Sequence, residues 1–146
     1  MPANAAIYIS DPSLLGSRLF DRIPDIESYE DLSDGTTATG VLLCFAWGQI
    51  TMSFMPPGDI DEHLRGFSGY AEHIIKDRDV LLYTLSRIRY VRMSIGCVIQ
   101  HAPEHTEDVH NFLFNFSSVL NGLLFLYDSI YDHNAKELGG PEANAA

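Results

Sequence analysis

The feature that most restricts what this chain can fold into is a change in the rhythm of its apolar residues. Across Gln49 to Met55, Ile50, Met52 and Phe54 alternate with Thr51 and Ser53, the period of a strand with one face buried. Beyond Pro56-Pro57-Gly58, Ile60, Leu64, Phe67, Ala71 and Ile74 recur at spacings of four and three, which is one face of a helix. The switch happens again downstream. Met93, Ile95, Cys97 and Ile99 alternate along a strand from Val91 to Ile99, and Val109, Phe112, Leu113, Phe116, Val119 and Leu120 then repeat at helical intervals. Asn121-Gly122 ends that helix with residues suited to the left-handed region. Neither kind of element hides its apolar face alone, so the pattern demands helices laid on a sheet.

The remaining elements follow from the same reasoning. Ala6 to Ile9 reads as a strand closed by Ser10-Asp11-Pro12, and Leu14, Leu15, Leu19 and Ile23 have the spacing of a short helix. Pro24 to Gly40, polar and acidic, reads as a surface loop. Val41 to Ala46 and Gln49 to Met55 flank Trp47-Gly48 as a hairpin. Asp59 and Asp79 are expected to cap two helices, the second with a stripe of Leu81, Leu82, Leu85 and Ile88. Leu123 to Leu126 reads as a buried strand, and Ser129 to Tyr131 with Ala135 to Leu138 as a closing hairpin. The expected fold class is α+β: a ferredoxin-like sandwich, mainly antiparallel, with helices on one face and a C-terminal hairpin. At 146 residues the chain suits one domain, spanning 1–138, and the stretch 139–146 lacks any large apolar residue and reads as a flexible tail.

Composition removes several classes of function. With 46% hydrophobic and 20% charged residues the chain can bury a core, which argues against wholesale disorder. Its longest apolar stretch, Val41 to Met55, is interrupted by Trp47-Gly48-Gln49 and falls short of the roughly 20 residues a bilayer requires. Met1 to Ile9 has no basic residue ahead of an apolar segment, so a cytoplasmic protein without a secretory signal is expected. Cys44 and Cys97 lack a C-x-x-C spacing and read as reduced, buried thiols. A formal net charge of −11 disfavours nucleic acid as a partner.

Leu82, Ile88, Val91-Arg92, Ile95-Gly96-Cys97-Val98 and Leu120-Asn121-Gly122-Leu123-Leu124-Phe125 lead to Tyr131-Asp132 and Leu138. This segment, residues 81–138, resembles the strand, helix, Gly-Leu-x-Phe strand and terminal hairpin of several uncharacterised bacterial families. The resemblance implies a cytosolic bacterial α+β architecture. Those families carry no agreed activity, so it transfers no site residue.

Three groups of residues bear on chemistry. His101, His105 and His110 lie among Glu104, Glu107 and Asp108, and imidazole with carboxylate is zinc chemistry. Pro103 breaks the helical spacing of the first two, and acids at a helix start also serve the macrodipole. Arg87, Arg89 and Arg92 are candidates for binding an anion or an acidic partner. Tyr131 and Asp132, near Tyr127-Asp128 and His133, form a polar aromatic end suited either to acid–base chemistry or to an ordinary turn. His63 and His73 read as surface or boundary histidines, Gly66-Phe67-Ser68-Gly69 is not a nucleophile elbow, and no cofactor is expected. Phe114 lies off the main stripe of its helix, where it would cover a sheet edge or dock on a second copy of the chain in a homodimer.

The charges are unevenly spread. Asp11, Asp21, Asp25, Glu27, Glu30, Asp31 and Asp34 crowd the first quarter, whereas Arg65, Lys76, Arg78, Arg87, Arg89 and Arg92 cluster farther along. Complementarity within the chain is the simpler explanation, and a charged partner is the alternative. The expected function is a noncatalytic interaction or regulatory protein, immunity-like in neutralising a basic protein partner. The competing reading is a small enzyme or ligand-binding protein with a pocket between sheet and helices, using His101, His105, Tyr131 or Asp132.

Overall fold

The computed structural model describes residues 3–16, 19–34 and 37–140. The fold is α+β. Eight strands form one sheet: β1 (Ala3–Ile9), β2 (Ile26–Asp34), β3 (Thr37–Phe45), β4 (Gly48–Phe54), β5 (Met93–His101), β6 (Leu123–Leu126), β7 (Ser129–Tyr131) and β8 (Glu137–Gly139). Their order is β2-β3-β4-β5-β1-β6-β7-β8, and every neighbouring pair is antiparallel. Three helices accompany it: α1 (Ile60–Ile74), α2 (Arg78–Arg89) and α3 (Thr106–Val119). Among the described residues no helix is long and apolar enough to cross a membrane.

The first strand occupies the middle of the sheet because its sequence is apolar on both sides. Ala5, Ile7 and Ile9 face one way and join a core with Val41, Leu43, Ile50, Met52, Ile95, Cys97 and Ile99. Tyr8 faces the other way and joins Leu123, Ile130 and Leu138. A strand covered on both faces cannot carry the polar alternation of a half-exposed one. β1 pairs with β5 on one side and β6 on the other. Those two flanking strands therefore run in the same direction, and α3 connects them.

The helices divide between the two faces, in contrast to the single-face arrangement expected from the sequence. Val109, Phe112, Leu113, Phe116 and Leu120 bring α3 onto the Ile7 and Ile9 side. Phe67, Ala71, Ile74 and Ile88 bring α1 and α2 onto the Tyr8 side. The second face is covered only around β1 and β6 to β8. Over β4 and β5 its positions include Gln49, Thr51, Ser53, Gly96 and Gln100, which tolerate water, and Val98 is 45% exposed there.

Several local expectations change. The acidic stretch 24–40 is not a loop, because Ile26–Asp34 and Thr37–Phe45 pair as a hairpin. Leu14 to Ile23 is not one helix but two short 3₁₀ turns, Pro12–Leu14 and Phe20–Arg22, whose apolar residues Leu15, Leu19, Phe20 and Ile23 pack on the first face. Asp77 rather than Asp79 caps α2, its carboxylate accepting the Val80 backbone N–H at 3.1 Å, and Asp59 makes no side-chain cap to α1. The last strand runs to Gly139, one residue into the expected tail, and residues 141–146 lie outside those described.

The end of α3 is as the sequence reads. Asn121 adopts φ 51°, the Asn121 N–H bonds the Ser118 carbonyl at 3.0 Å, and the Gly122 N–H bonds the Ser117 carbonyl at 2.9 Å. These are the two bonds of a Schellman motif, and they turn the chain directly into β6.

Candidate functional site

The acidic quarter of the sequence becomes an edge of the sheet. Among the described residues β2 has β3 as its only neighbour in the sheet, and at nine residues it is three times the length of β8 at the opposite edge. Its pairing with β3 shifts register between Ile26 and Ser28 and again between Leu32 and Ser33. Such bulges twist an edge and break its regularity. Asp21, Asp25, Glu27, Glu30 and Asp31 are all exposed on and beside this strand. Of these, Asp21 accepts a hydrogen bond from the Tyr29 hydroxyl at 2.9 Å. Among the described residues none of the five forms an ion pair, and the single ion pair joins His105 to Asp108 at 3.0 Å. Complementarity within the chain therefore does not account for these acids. Of the described basic residues, Arg65, Arg78, Arg87 and Arg89 lie on α1 and α2, which cover the half of the sheet away from β2, Lys76 and Arg92 follow those helices, Lys136 lies between β7 and β8, and Arg22 alone stands beside the acids.

Beside this edge, on the first face, lies a cavity of about 600 Å³. Its floor and walls are apolar: Leu15 and Phe20 from the 3₁₀ segment, Val41 from β3, Phe54 and Met55 at the end of β4, and Met93 at the start of β5. Its polar groups are the Tyr29 hydroxyl, the Asp31 carboxylate and the Thr39 hydroxyl, all from exposed residues of β2 and β3. Among its described lining residues there is no Lys, Arg or His. Volume and lining fall in the usual range for small-molecule sites, about 300–1,000 Å³ with a few polar groups.

The residues singled out from the sequence take separate places. His101 donates from Nδ1 to the Ala102 carbonyl at 2.7 Å, His105 pairs with Asp108, and His110 packs edge-on against Tyr127 with centroids 5.4 Å apart. Among the described residues no three His, Cys, Asp or Glu side chains stand where they could hold a metal ion. Arg87 ties three elements together, donating to the Tyr83 hydroxyl at 3.0 Å, to His133 Nδ1 at 3.1 Å and to the Asn121 carbonyl at 2.8 Å. Arg89 lines a shallow groove between α1 and α2 with Asp61, Arg65 and Glu72, and Arg92 is exposed ahead of β5. The three arginines thus form no common site. Asp132 shapes the β7–β8 turn, its Oδ1 accepting the N–H groups of Asn134 at 2.8 Å and Lys136 at 2.9 Å. Tyr131 packs edge-on against Phe114 with centroids 5.0 Å apart, so Phe114 is used inside the chain, over β7.

One polar grouping has no counterpart in the sequence reading. The Tyr8 hydroxyl lies 2.8 Å from His63 Nε2, and the Tyr8 ring stacks on Phe67 with centroids 4.1 Å apart. Burial pushes the Tyr8 phenol up to about 12, against an opposing hydrogen bond with Ser94. A phenol so placed stays protonated at neutral pH and serves as a hydrogen-bonding group rather than a base. Two signals for it were present: a tyrosine inside the apolar run Ala5 to Ile9, and a histidine one helical turn before Phe67. The cysteines also separate. Cys97 belongs to the first face, whereas Cys44, paired in register with Gln49, points to the second. Both are free, and burial raises the Cys97 thiol to about 12.

Known protein families, curated proteins and solved structures give no match to this chain.

Proposed function

We propose that this chain is a noncatalytic interaction protein that binds a basic protein, in the manner of an immunity protein, through the β2 edge. The observation that carries the reading is the set of exposed carboxylates Asp21, Asp25, Glu27, Glu30 and Asp31, none of them ion-paired with a described residue. Acids crowded on one edge repel each other, and a cationic partner relieves that repulsion while steering its own approach. An exposed edge strand also offers backbone groups to a partner strand, the mode of recognition by strand addition. The same charges prevent edge-to-edge pairing of two copies, since each would meet the other's acids. An enzyme reading would need His101, His105, Tyr131 and Asp132 to converge, whereas each makes a separate local contact.

The test is a titration with a capped nine-residue peptide alternating Lys and Thr, followed by amide shifts over residues 26–34. Binding should map to β2 and weaken steeply between about 20 mM and 500 mM salt, as screening of exposed charges requires. The double variant Glu27→Lys with Glu30→Lys should lose at least about tenfold in affinity, equivalent to about 1.4 kcal/mol. A complex indifferent to salt, or shifts confined to other strands, would refute the proposal.

A further inference from the structure

The cavity beside β2 shares only Asp31 with the charge-based reading above, and the rest of its lining is uncharged. Apolar side chains from four separate segments converge on it: Leu15 and Phe20, Val41, Phe54 and Met55, and Met93. A core would close over such residues; here they surround about 600 Å³ of open volume. The Asp31 carboxylate is the one charged group among the described lining residues. The Asp31 side chain forms no ion pair or hydrogen bond with any described residue. Tyr29 and Thr39 add hydroxyls to the lining, and the Tyr29 hydroxyl is already committed to Asp21.

We infer that this cavity is a binding site for a small organic cation: an aliphatic or aromatic body ending in an ammonium or amidinium group. The body displaces water from the Leu15, Phe20, Phe54 and Met93 surfaces, and the head donates hydrogen bonds to Asp31. An anionic ligand of the same shape would bring its charge against that carboxylate with no cation among the described lining residues to receive it. The site therefore selects by sign of charge as well as by shape. This inference shares Asp31 with the proposed partner surface but needs no strand pairing, because the head group meets that carboxylate at the cavity.

The experiment uses the full chain labelled at its methionine methyls. Met55 and Met93 report on the cavity. The probes are 4-phenylbutylamine, 4-phenylbutanol and 4-phenylbutyrate. The amine should shift the Met55 and Met93 methyls saturably and bind at least about tenfold more tightly than the acid. Asp31→Asn is an exposed change that leaves the core untouched, and it should reduce that preference to about twofold or less. Leu15→Trp, which fills the cavity from its roof, should abolish the shifts for all three probes. Equal binding of amine and acid, or an amine preference that survives Asp31→Asn, overturns the inference. So does the absence of any shift at Met55 and Met93. Saturation of those methyls by the lysine–threonine peptide but not by the free amine would assign the cavity to the partner interface instead, and would likewise overturn the free-ligand inference while leaving the β2 reading intact.

Discussion

Raising the pH should destabilise this protein, and a buried thiol carries a separable part of the loss. Cys97 is 2% exposed in the first-face core, and burial lifts it from its ordinary 9.0 to about 12. The unfolded chain therefore gives up this proton first. A group that stays protonated longer in the folded state adds stability that is complete below the unfolded value and is lost as pH climbs toward the folded value. At about 1.4 kcal/mol for each pH unit between the two values, the loss reaches about 4 kcal/mol by pH 12 and about 2 kcal/mol by pH 10.5. Tyr8, raised from 10.0 to about 12, adds a further loss of about 3 kcal/mol over its own narrower window. Cys97→Ala removes the first contribution and leaves a small cavity costing about 1 kcal/mol at any pH. Urea unfolding curves from pH 7.5 to 10.5 should consequently cross: the natural chain is the more stable below about pH 9, and the variant above about pH 10. The general repulsion of a highly negative chain at alkaline pH affects both proteins equally and cancels in the difference. Parallel stability curves for the two would refute the reasoning, because they would mean that Cys97 titrates alike in the folded and unfolded chain.

Other outcomes are as specific. Asp77→Ala should lower stability by about 1 kcal/mol through loss of the α2 cap, whereas Asp79→Ala should change it by no more than a few tenths, both read from urea midpoints. Gly139→Ala would set a Cβ 2.6 Å from Ile75 Cγ1, so a destabilisation of about 1–3 kcal/mol is expected by thermal unfolding, and Ile75→Ala in the same chain should recover part of it. Arg87→Met keeps the stem of the side chain but removes its hydrogen bonds to Tyr83, His133 and Asn121; about 1–2 kcal/mol should be lost, with faster amide exchange at residues 121–123 and 131–136.

The sequence is most informative where one face of an element is buried and the other is wet. β4, β5 and α3 are of this kind, and their apolar residues fall at the periods the structure uses. β2 escaped for a definable reason. The register shift after Ile26 places Ile26 and Tyr29, three residues apart, opposite Phe45 and Leu43, so the strand lacks the two-residue period that announces one. Apart from Leu32, its remaining positions are acids and serines because an outer strand has little to bury. The placement of helices on opposite faces was not legible from periodicity, which says that a helix has an apolar side but not which layer receives it. β1 held the missing clue: five successive residues, Ala5 to Ile9, without a charged or amide side chain, which only a strand covered on both sides can use. For the candidate site, the charge asymmetry was visible in the chain and its arrangement along one edge was not. The cavity was beyond reach because Leu15, Val41, Phe54 and Met93 come together only through tertiary packing.

The central position of β1 has a consequence for how the molecule is made. The strands that hold it, β5 and β6, begin at Met93 and Leu123, more than eighty residues after Ile9. On a ribosome adding roughly 5 to 20 residues per second, this segment waits several seconds before either partner exists. During that interval its apolar side chains have nothing lasting to pair with, and the later closure spans most of the chain, a topology associated with slow folding. The newborn protein is therefore most vulnerable to capture by chaperones, or to aggregation, at the residues that end up best protected.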